Sequence, residues 1–253
     1  MKFALLSDIH ANLPALQAVL DDVERRGIAN VYQLGDLVGY GPWPNETVQV
    51  LVERGIKGIA GNYDSTVATG YKHCGCHYDD PRQVELAHLS FQWTLANTSD
   101  ATKAILGALP FRLDIAPFGG HVGGTRIVLV HGTPTLNTMY WTEDRSDEFC
   151  LSMAQKSGVR PGDLIAFGHT HLPWKREVGG IHFVNTGSVG RPKDGDPRAG
   201  YVIVDIQSGV HSVEHIRVGY DVEATARAIR SSSLPSEFAD YLLTGGKVVD
   251  EKA

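Results

Sequence analysis

Five short apolar runs in this chain each end at a residue carrying a nitrogen or oxygen donor. Residues 2–6 (KFALL) run into Ser7-Asp8-Ile9-His10, residues 31–34 (VYQL) into Gly35-Asp36, and residues 56–60 (IKGIA) into Gly61-Asn62-Tyr63-Asp64. Residues 126–130 run into His131-Gly132, and residues 163–167 into Gly168-His169-Thr170-His171. Runs this short, bounded by turn residues, read as buried strands. Helix signals separate the first three. Asn12 is an N-cap, Pro14 lies in the first turn, Leu13, Leu16, Leu20 and Val23 follow a helical period, and Gly27 is a stop. A second helix, over about 45–54, follows the loop GDLVGYGPWPN. Strand, helix, strand, helix, strand implies a parallel sheet with right-handed crossovers. Seven donor side chains then emerge at the carboxyl ends of strands: Asp8, His10, Asp36, Asn62, His131, His169 and His171. In open α/β sheets that edge binds ligands.

The pattern changes after the third strand. Residues 70–80 (GYKHCGCHYDD) read as irregular, and residues 82–108 as two helices separated near Thr98-Ser99-Asp100. From 111 onward short strands dominate, at about 111–115, 126–130, 163–167, 173–177, 181–184, 201–206 and 211–217, several divided by Gly-rich turns suited to hairpins. Helices are expected at about 147–157, 221–230 and 235–243. The fold class expected is α/β: one domain over 1–253, with two sheets packed face to face, helices outside and a helical excursion at about 70–108.

Composition narrows the function classes. With 42% hydrophobic and 21% charged residues the chain is not of disordered type. Its net charge of −6 and lack of a basic block argue against a nucleic-acid duplex or an anionic membrane as partner, and leave a small nucleotide open. Three cysteines, Cys74, Cys76 and Cys150, are too few for a disulfide scaffold. The first apolar run turns polar after six residues, unlike a signal peptide or a membrane span, so a cytoplasmic protein is expected. An oligomer stays open.

Imidazole and carboxylate together suit Zn, Fe or Mn, and no Cys stands at these strand ends to make a thiolate-ligated structural zinc. Seven donors exceed the needs of one open site and suit two metals if one carboxylate bridges them. Two ions about 3.5–4 Å apart clamp an in-line displacement, one ionising the attacking water and both neutralising charge on the reacting oxygens. Phosphate esters most need that assistance.

The order D-x-H, G-D-x-x-x-x-G-P, G-N-x-D, an isolated H-G, G-H-T-H and N-T-G-S resembles the calcineurin-like metallophosphoesterase superfamily. The resemblance runs from Asp8 to about Arg198, and the second half is similar to its small bacterial phosphodiesterase-like branch. It implies an α/β/β/α sandwich of two mixed sheets, in agreement with the two-sheet reading. It also implies two divalent ions of the Mn, Fe, Zn, Co or Ni kind: one on Asp8, His10 and His171, the other on Asn62, His131 and His169, with Asp36 bridging opposite a water that attacks phosphorus. Asp36, Asn62 and His131 would then serve catalysis. Asn12 and the amides of the Gly-rich loops are further candidates to touch phosphate. Many members of the family carry His where this chain has Tyr63. A Tyr there either donates a hydrogen bond to the leaving group as a poor acid, or packs on the loop. The implied activity is a metal-dependent phosphoesterase acting on a small phosphodiester or nucleotide. The alternatives are a phosphomonoesterase or protein serine/threonine phosphatase, and a non-catalytic scaffold on the same fold.

Smaller signals remain. His73-Cys74-Gly75-Cys76-His77 offers four soft donors in five residues and reads as a metal site, a loop at the site mouth, or surface. Phe91, Trp93 and Leu95 read as core, and His88, His182, His211 and His215 as structural. His121 reads as exposed. Arg191 and Arg198 follow N-T-G-S and are each candidates for phosphate pairing or for an ion pair.

Overall fold

The computed structural model describes residues 1–76, 78–116, 124–207 and 210–247. His77, His121 and the side chain of His211 lie outside the described residues. The elements in order are β1 (Lys2–Leu6), α1 (Leu13–Arg25), β2 (Asn30–Gln33), α2 (Pro44–Glu53), β3 (Lys57–Gly58), α3 (Asn62–Thr69), α4 (Pro81–Asn97), α5 (Asp100–Gly107) and β4 (Arg112–Ile115). There follow β5 (Ile127–Val130), α6 (Asp147–Ser157), β6 (Leu164–Phe167), β7 (Trp174–Val178), β8 (Ile181–Asn185), β9 (Ala199–Ile206), β10 (Val210–Val218), α7 (Val222–Ser231) and α8 (Glu237–Leu243).

Two five-stranded sheets form, in the orders β10-β9-β1-β2-β3 and β4-β5-β6-β8-β7. The pairs β1–β2 and β2–β3 are parallel, as the alternation of strands and helices requires, while β9 and β10 join antiparallel on the other side of β1. In the second sheet β5–β6 and β6–β8 are parallel and the outer pairs are antiparallel. Both sheets are therefore mixed, and the parallel character of the first half is only part of its sheet.

Strand alternation builds the layers. Phe3 and Leu5 of β1 point between the sheets, where they meet Leu129, Leu164, Ala166, Val202 and Val204. Ala4 and Leu6 point the other way, onto Leu16, Val19 and Leu20 of α1 and Phe238 of α8. Val128, Val130, Ile165 and Phe167 face outward from the second sheet against Cys150 and Met153 of α6 and against Trp141, which stacks on Phe167 at 4.4 Å and 4°. Period-two strands buried on both faces give the α/β/β/α sandwich. The β7–β8 hairpin turns through Gly179 (φ 59°) and Gly180 (φ 74°), a left-handed pair that a two-residue hairpin loop needs.

Two local expectations differ from the structure. The third strand is only Lys57–Gly58, and the chain enters α3 at Asn62, where sequence periodicity gives no helix. In NYDSTVAT only Tyr63 and Val67 are buried apolar residues, so no apolar stripe marks it. The available signal lies at its ends. Asp64 accepts the N–H of Gly61 at 2.9 Å, and Gly70 closes the helix at φ 64°. No described helix is long and apolar enough to cross a membrane.

Candidate metal centre

The loops after β1, β2, β3, β5 and β6 converge at one end of the sandwich, and all seven donor residues are buried there. Five of them hold left-handed backbone: Asp8 (φ 52°), His10 (49°), Asp36 (55°), His169 (66°) and His171 (61°). For residues with a Cβ this conformation costs about 1–2 kcal/mol each, and such strain gathers where function fixes it. Backbone bonds stitch the loops together: the N–H of Asp8 donates to Gly35 O at 3.0 Å and that of His10 to Asp36 O at 2.9 Å. The N-T-G-S segment braces them. Asn185 donates to Gly168 O and Thr170 Oγ1, both at 2.9 Å, and Ser188 Oγ donates to Asp8 O at 2.7 Å.

Backbone carbonyls orient the imidazoles. His10 Nδ1 donates to Val38 O at 3.0 Å, His131 Nδ1 to Leu34 O at 2.8 Å and His171 Nδ1 to Arg191 O at 2.6 Å. Each ring therefore presents Nε2 inward. Burial, with help from neighbouring cations, holds His10 well below the usual imidazole range and His171 below it, and burial and His131 bring His169 down to about 3. These shifts favour the uncharged form of each ring. His10 Nε2 and His171 Nε2 nonetheless face each other at 3.1 Å, lone pair to lone pair. Asp8 Oδ1, 3.3 Å from His171 Nε2, and His169 Nε2 are buried without a hydrogen-bond partner. Around His131 burial opposes charge, but Asp36 and Asp8 raise it to about 10. A proton or another cation must lie between its Nε2 and the acceptors Asn62 Oδ1 at 3.1 Å and Asp36 Oδ2 at 3.4 Å.

Asp36 stands between the two halves. Its Oδ1 accepts the Tyr63 N–H at 2.9 Å, which leaves Oδ2 3.8 Å from His10 Nε2 and 3.4 Å from His131 Nε2. Asn62 is turned the same way. Its Nδ2 donates to Cys74 O at 2.9 Å and contacts Cys76 Sγ at 3.4 Å, so Oδ1 faces inward. The ligand atoms of Asp8, His10 and His171 lie within 4.8 Å of one another, as do those of Asp36, His131 and His169. Orphaned acceptors, facing lone pairs and an N/O donor set fit divalent cations.

Of the two readings of Tyr63, the geometry is that of packing on the loop. It is fully buried, its hydroxyl donates to Ser90 Oγ of α4 at 3.2 Å, and its ring packs on Tyr40, Phe91 and His10. Burial pushes its pKa well above 10. The phenol is spent on packing, so Tyr63→Phe should change turnover by less than about threefold and cost about 1 kcal/mol of stability, the worth of one buried hydrogen bond. Steady-state kinetics and a denaturant melt check both. Asn12 also departs from expectation. Its Oδ1 caps α1 at Ala15 N (3.3 Å) and its Nδ2 donates to Gly190 O (2.9 Å) and Tyr220 (3.0 Å), which leaves nothing for phosphate.

The cysteine loop has a role that its sequence leaves open. Cys74 and Cys76 set the Asn62 amide rather than forming a ligand group of their own among the described residues, and His73 is exposed. Tyr140, whose ring centroid is 4.5 Å from that of His169, is a site residue that nothing in its local sequence marks. Phe91 is core, Trp93 and Leu95 are half-buried, and Trp93 donates to Ser233 Oγ at 3.0 Å. His215 bonds Asn185 O at 2.8 Å, His182 lies 3.9 Å from Glu177, and His88 is exposed. Arg198 is exposed and paired with Asp196, while Arg191 is buried.

Comparison with known proteins agrees with this architecture. The model of the calcineurin-like phosphoesterase superfamily domain matches residues 1–209. The protein MJ0912 of Methanocaldococcus jannaschii is 29% identical over 257 residues, covering 96% of this chain and 97% of that one. Phosphodiesterase YfcE of Escherichia coli K12 is 27% identical over 215 residues, covering 81% and 88%. The crystal structure of a metallophosphoesterase from Sphaerobacter thermophilus superposes with a TM-score of 0.74 at 28% identity, covering 97% of this chain and 100% of that one.

Proposed function

The chain belongs to the calcineurin-like phosphoesterase superfamily, whose members hydrolyse phosphate esters with divalent metals, and from that premise we propose a dinuclear phosphoesterase acting on a small phosphodiester or nucleotide. The observation that carries the dinuclear reading is Asp36 Oδ2, set between two groups of inward-facing acceptors. Asp8, His10 and His171 would hold one ion, Asn62, His131 and His169 the other, and Asp36 both. Bound there, two divalent ions supply an acidified water and neutralise charge on the phosphoryl oxygens. The chain's own part is orientation. Backbone carbonyls fix three imidazoles, Cys74 fixes the Asn62 amide, and Tyr63 N–H fixes Asp36.

The diester preference rests on position 63. With its phenol held by Ser90, no side chain there protonates a leaving alkoxide, which handicaps unactivated esters most. The kinship to a phosphodiesterase supports the same choice. The test loads the protein with Mn, Fe, Zn, Co or Ni in turn and compares bis(p-nitrophenyl) phosphate with p-nitrophenyl phosphate. Chelator-sensitive turnover with a higher kcat/KM for the diester is expected. A higher value for the monoester would favour the phosphomonoesterase alternative, and no turnover of either with any metal would leave the scaffold reading. We further propose a cytoplasmic protein folded as one domain, with no nucleic-acid duplex or membrane as partner.

A further inference from the structure

Cys74 and Cys76 carry two thiols on either side of one glycine, beside the Asn62 amide that their loop orients. Gly75 has φ 78°, a left-handed conformation that turns the chain back on itself, and its N–H donates to His73 Nδ1 at 3.1 Å. The turn brings both sulfurs to one side. Cys74 Sγ accepts the Cys76 N–H at 3.3 Å, and the two thiols hydrogen-bond each other. The turn is also seated tightly, because a Cβ on Gly75 would lie 2.8 Å from Thr138 Cγ2, on the loop that follows His131. Cys74 is only 4% exposed and Cys76 is half-buried, so the pair opens to solvent through Cys76. Cys150 stands apart from them, on α6 in the core layer of Trp141 and Phe167.

Two thiols held in contact are the reactants of a disulfide. A ring closed over a single intervening residue is strained, and strained disulfides are the readily reduced, regulatory ones. Resting on the dinuclear reading, we propose that Cys74 and Cys76 form a reversible oxidation site whose disulfide releases Asn62 from the metal centre. The oxidant is a peroxide. The Cys76 sulfur takes one peroxide oxygen, giving a sulfenic acid and one water. The Cys74 sulfur then displaces that hydroxyl, which leaves with the Cys74 proton as a second water. Two S–H bonds break, one S–S bond forms, and the two electrons given up by the sulfurs reduce the peroxide. The new bond draws Cys76 Sγ away from Asn62 Nδ2, and the turn that carries Cys74 O, the other acceptor of that amide, must shift with it. Asn62 Oδ1 then loses the orientation that aims it inward beside His131.

The experiment treats the metal-reconstituted protein with hydrogen peroxide, removes the excess with catalase, and follows free thiols of the denatured chain, metal content and turnover of bis(p-nitrophenyl) phosphate. Free thiols should fall from three to one per chain, with the peptide that holds Cys74 and Cys76 lighter by two hydrogens. Metal content should fall, and turnover at stoichiometric metal should drop about ten- to hundredfold, the worth of a contact that supports a ligand. A phosphine reductant with fresh metal should restore all three. Under the same peroxide Cys76→Ser should keep its own untreated turnover and metal content, whereas Cys150→Ala should respond as the wild type does. Should either variant fail to fold, the wild-type thiol count, peptide mass and metal content decide alone. Three thiols that survive peroxide, a disulfide through Cys150, an oxidation that the phosphine does not reverse, or a Cys74–Cys76 bond that leaves metal content unchanged overturns the site, while turnover before treatment upholds the phosphoesterase reading. No turnover before treatment with any metal overturns that reading, and the thiol count and metal content still decide the oxidation site.

Discussion

Asp36→Asn is expected to lower phosphodiester turnover by at least about a thousandfold while the protein stays folded. The substitution keeps size and shape, so the loop need not move. The Tyr63 N–H, 2.9 Å from Oδ1, requires an acceptor and will hold the amide oxygen of the introduced side chain there. The new NH2 is then forced into the place of Oδ2, between His10 and His131. A donor would point where a shared cation is proposed to sit, and one negative charge is lost. Contacts that only support a ligand are worth about ten- to hundredfold in metal affinity or activity, and loss of a shared ligand exceeds that. Turnover at saturating metal and a thermal melt of the metal-free protein check the two halves. Near wild-type turnover would remove Asp36 from its proposed role.

Gly61→Ala should damage the same carboxylate from behind. Gly61 has φ −82°, a conformation open to any residue, so the effect is steric. A Cβ there would lie 2.1 Å from Asp36 Oδ1 and 2.3 Å from Asp36 N. Both neighbours are fixed, one by Tyr63 N–H and one by the backbone, so the loops after β2 and β3 must part. Overpacking of this kind costs about 1–3 kcal/mol, a fall of roughly 2–12 °C in Tm for a chain of this size. Turnover should fall at least about tenfold as Asp36 leaves its place. Gly107→Ala is the control: its Cβ would meet only Ala68 Cβ at 3.5 Å, so stability and turnover should hold. Equal behaviour of the two variants would mean that the close packing against Asp36 does not position it.

The parts of this protein legible in its sequence are those written in local pattern. Apolar runs mark β1, β5 and β6 because strands buried on both faces have few polar residues to blur them, and the donor after each run lies at the strand's carboxyl end in the structure. α3 escapes because its apolar contacts, Tyr63 and Val67, are too few to make a stripe, and its limits rest on Asp64 and Gly70. The place of Tyr63 depends on Ser90, a residue of α4 that only the tertiary fold brings to the phenol. The hold of Cys74 and Cys76 on Asn62 likewise crosses an irregular loop with no period to read. Arg191 and Arg198 are equivalent in the sequence, and the neighbouring Asp196 neutralises only one of them.

The central claim is two ions sharing one carboxylate. The direct measurement is metal content per chain by elemental analysis of the reconstituted protein, together with anomalous scattering from its crystals. Two ions per chain are expected, with two anomalous peaks on either side of Asp36, one beside Asp8, His10 and His171 and the other beside Asn62, His131 and His169. A single closed four-ligand zinc site, or two ions neither of which touches Asp36, would contradict the account.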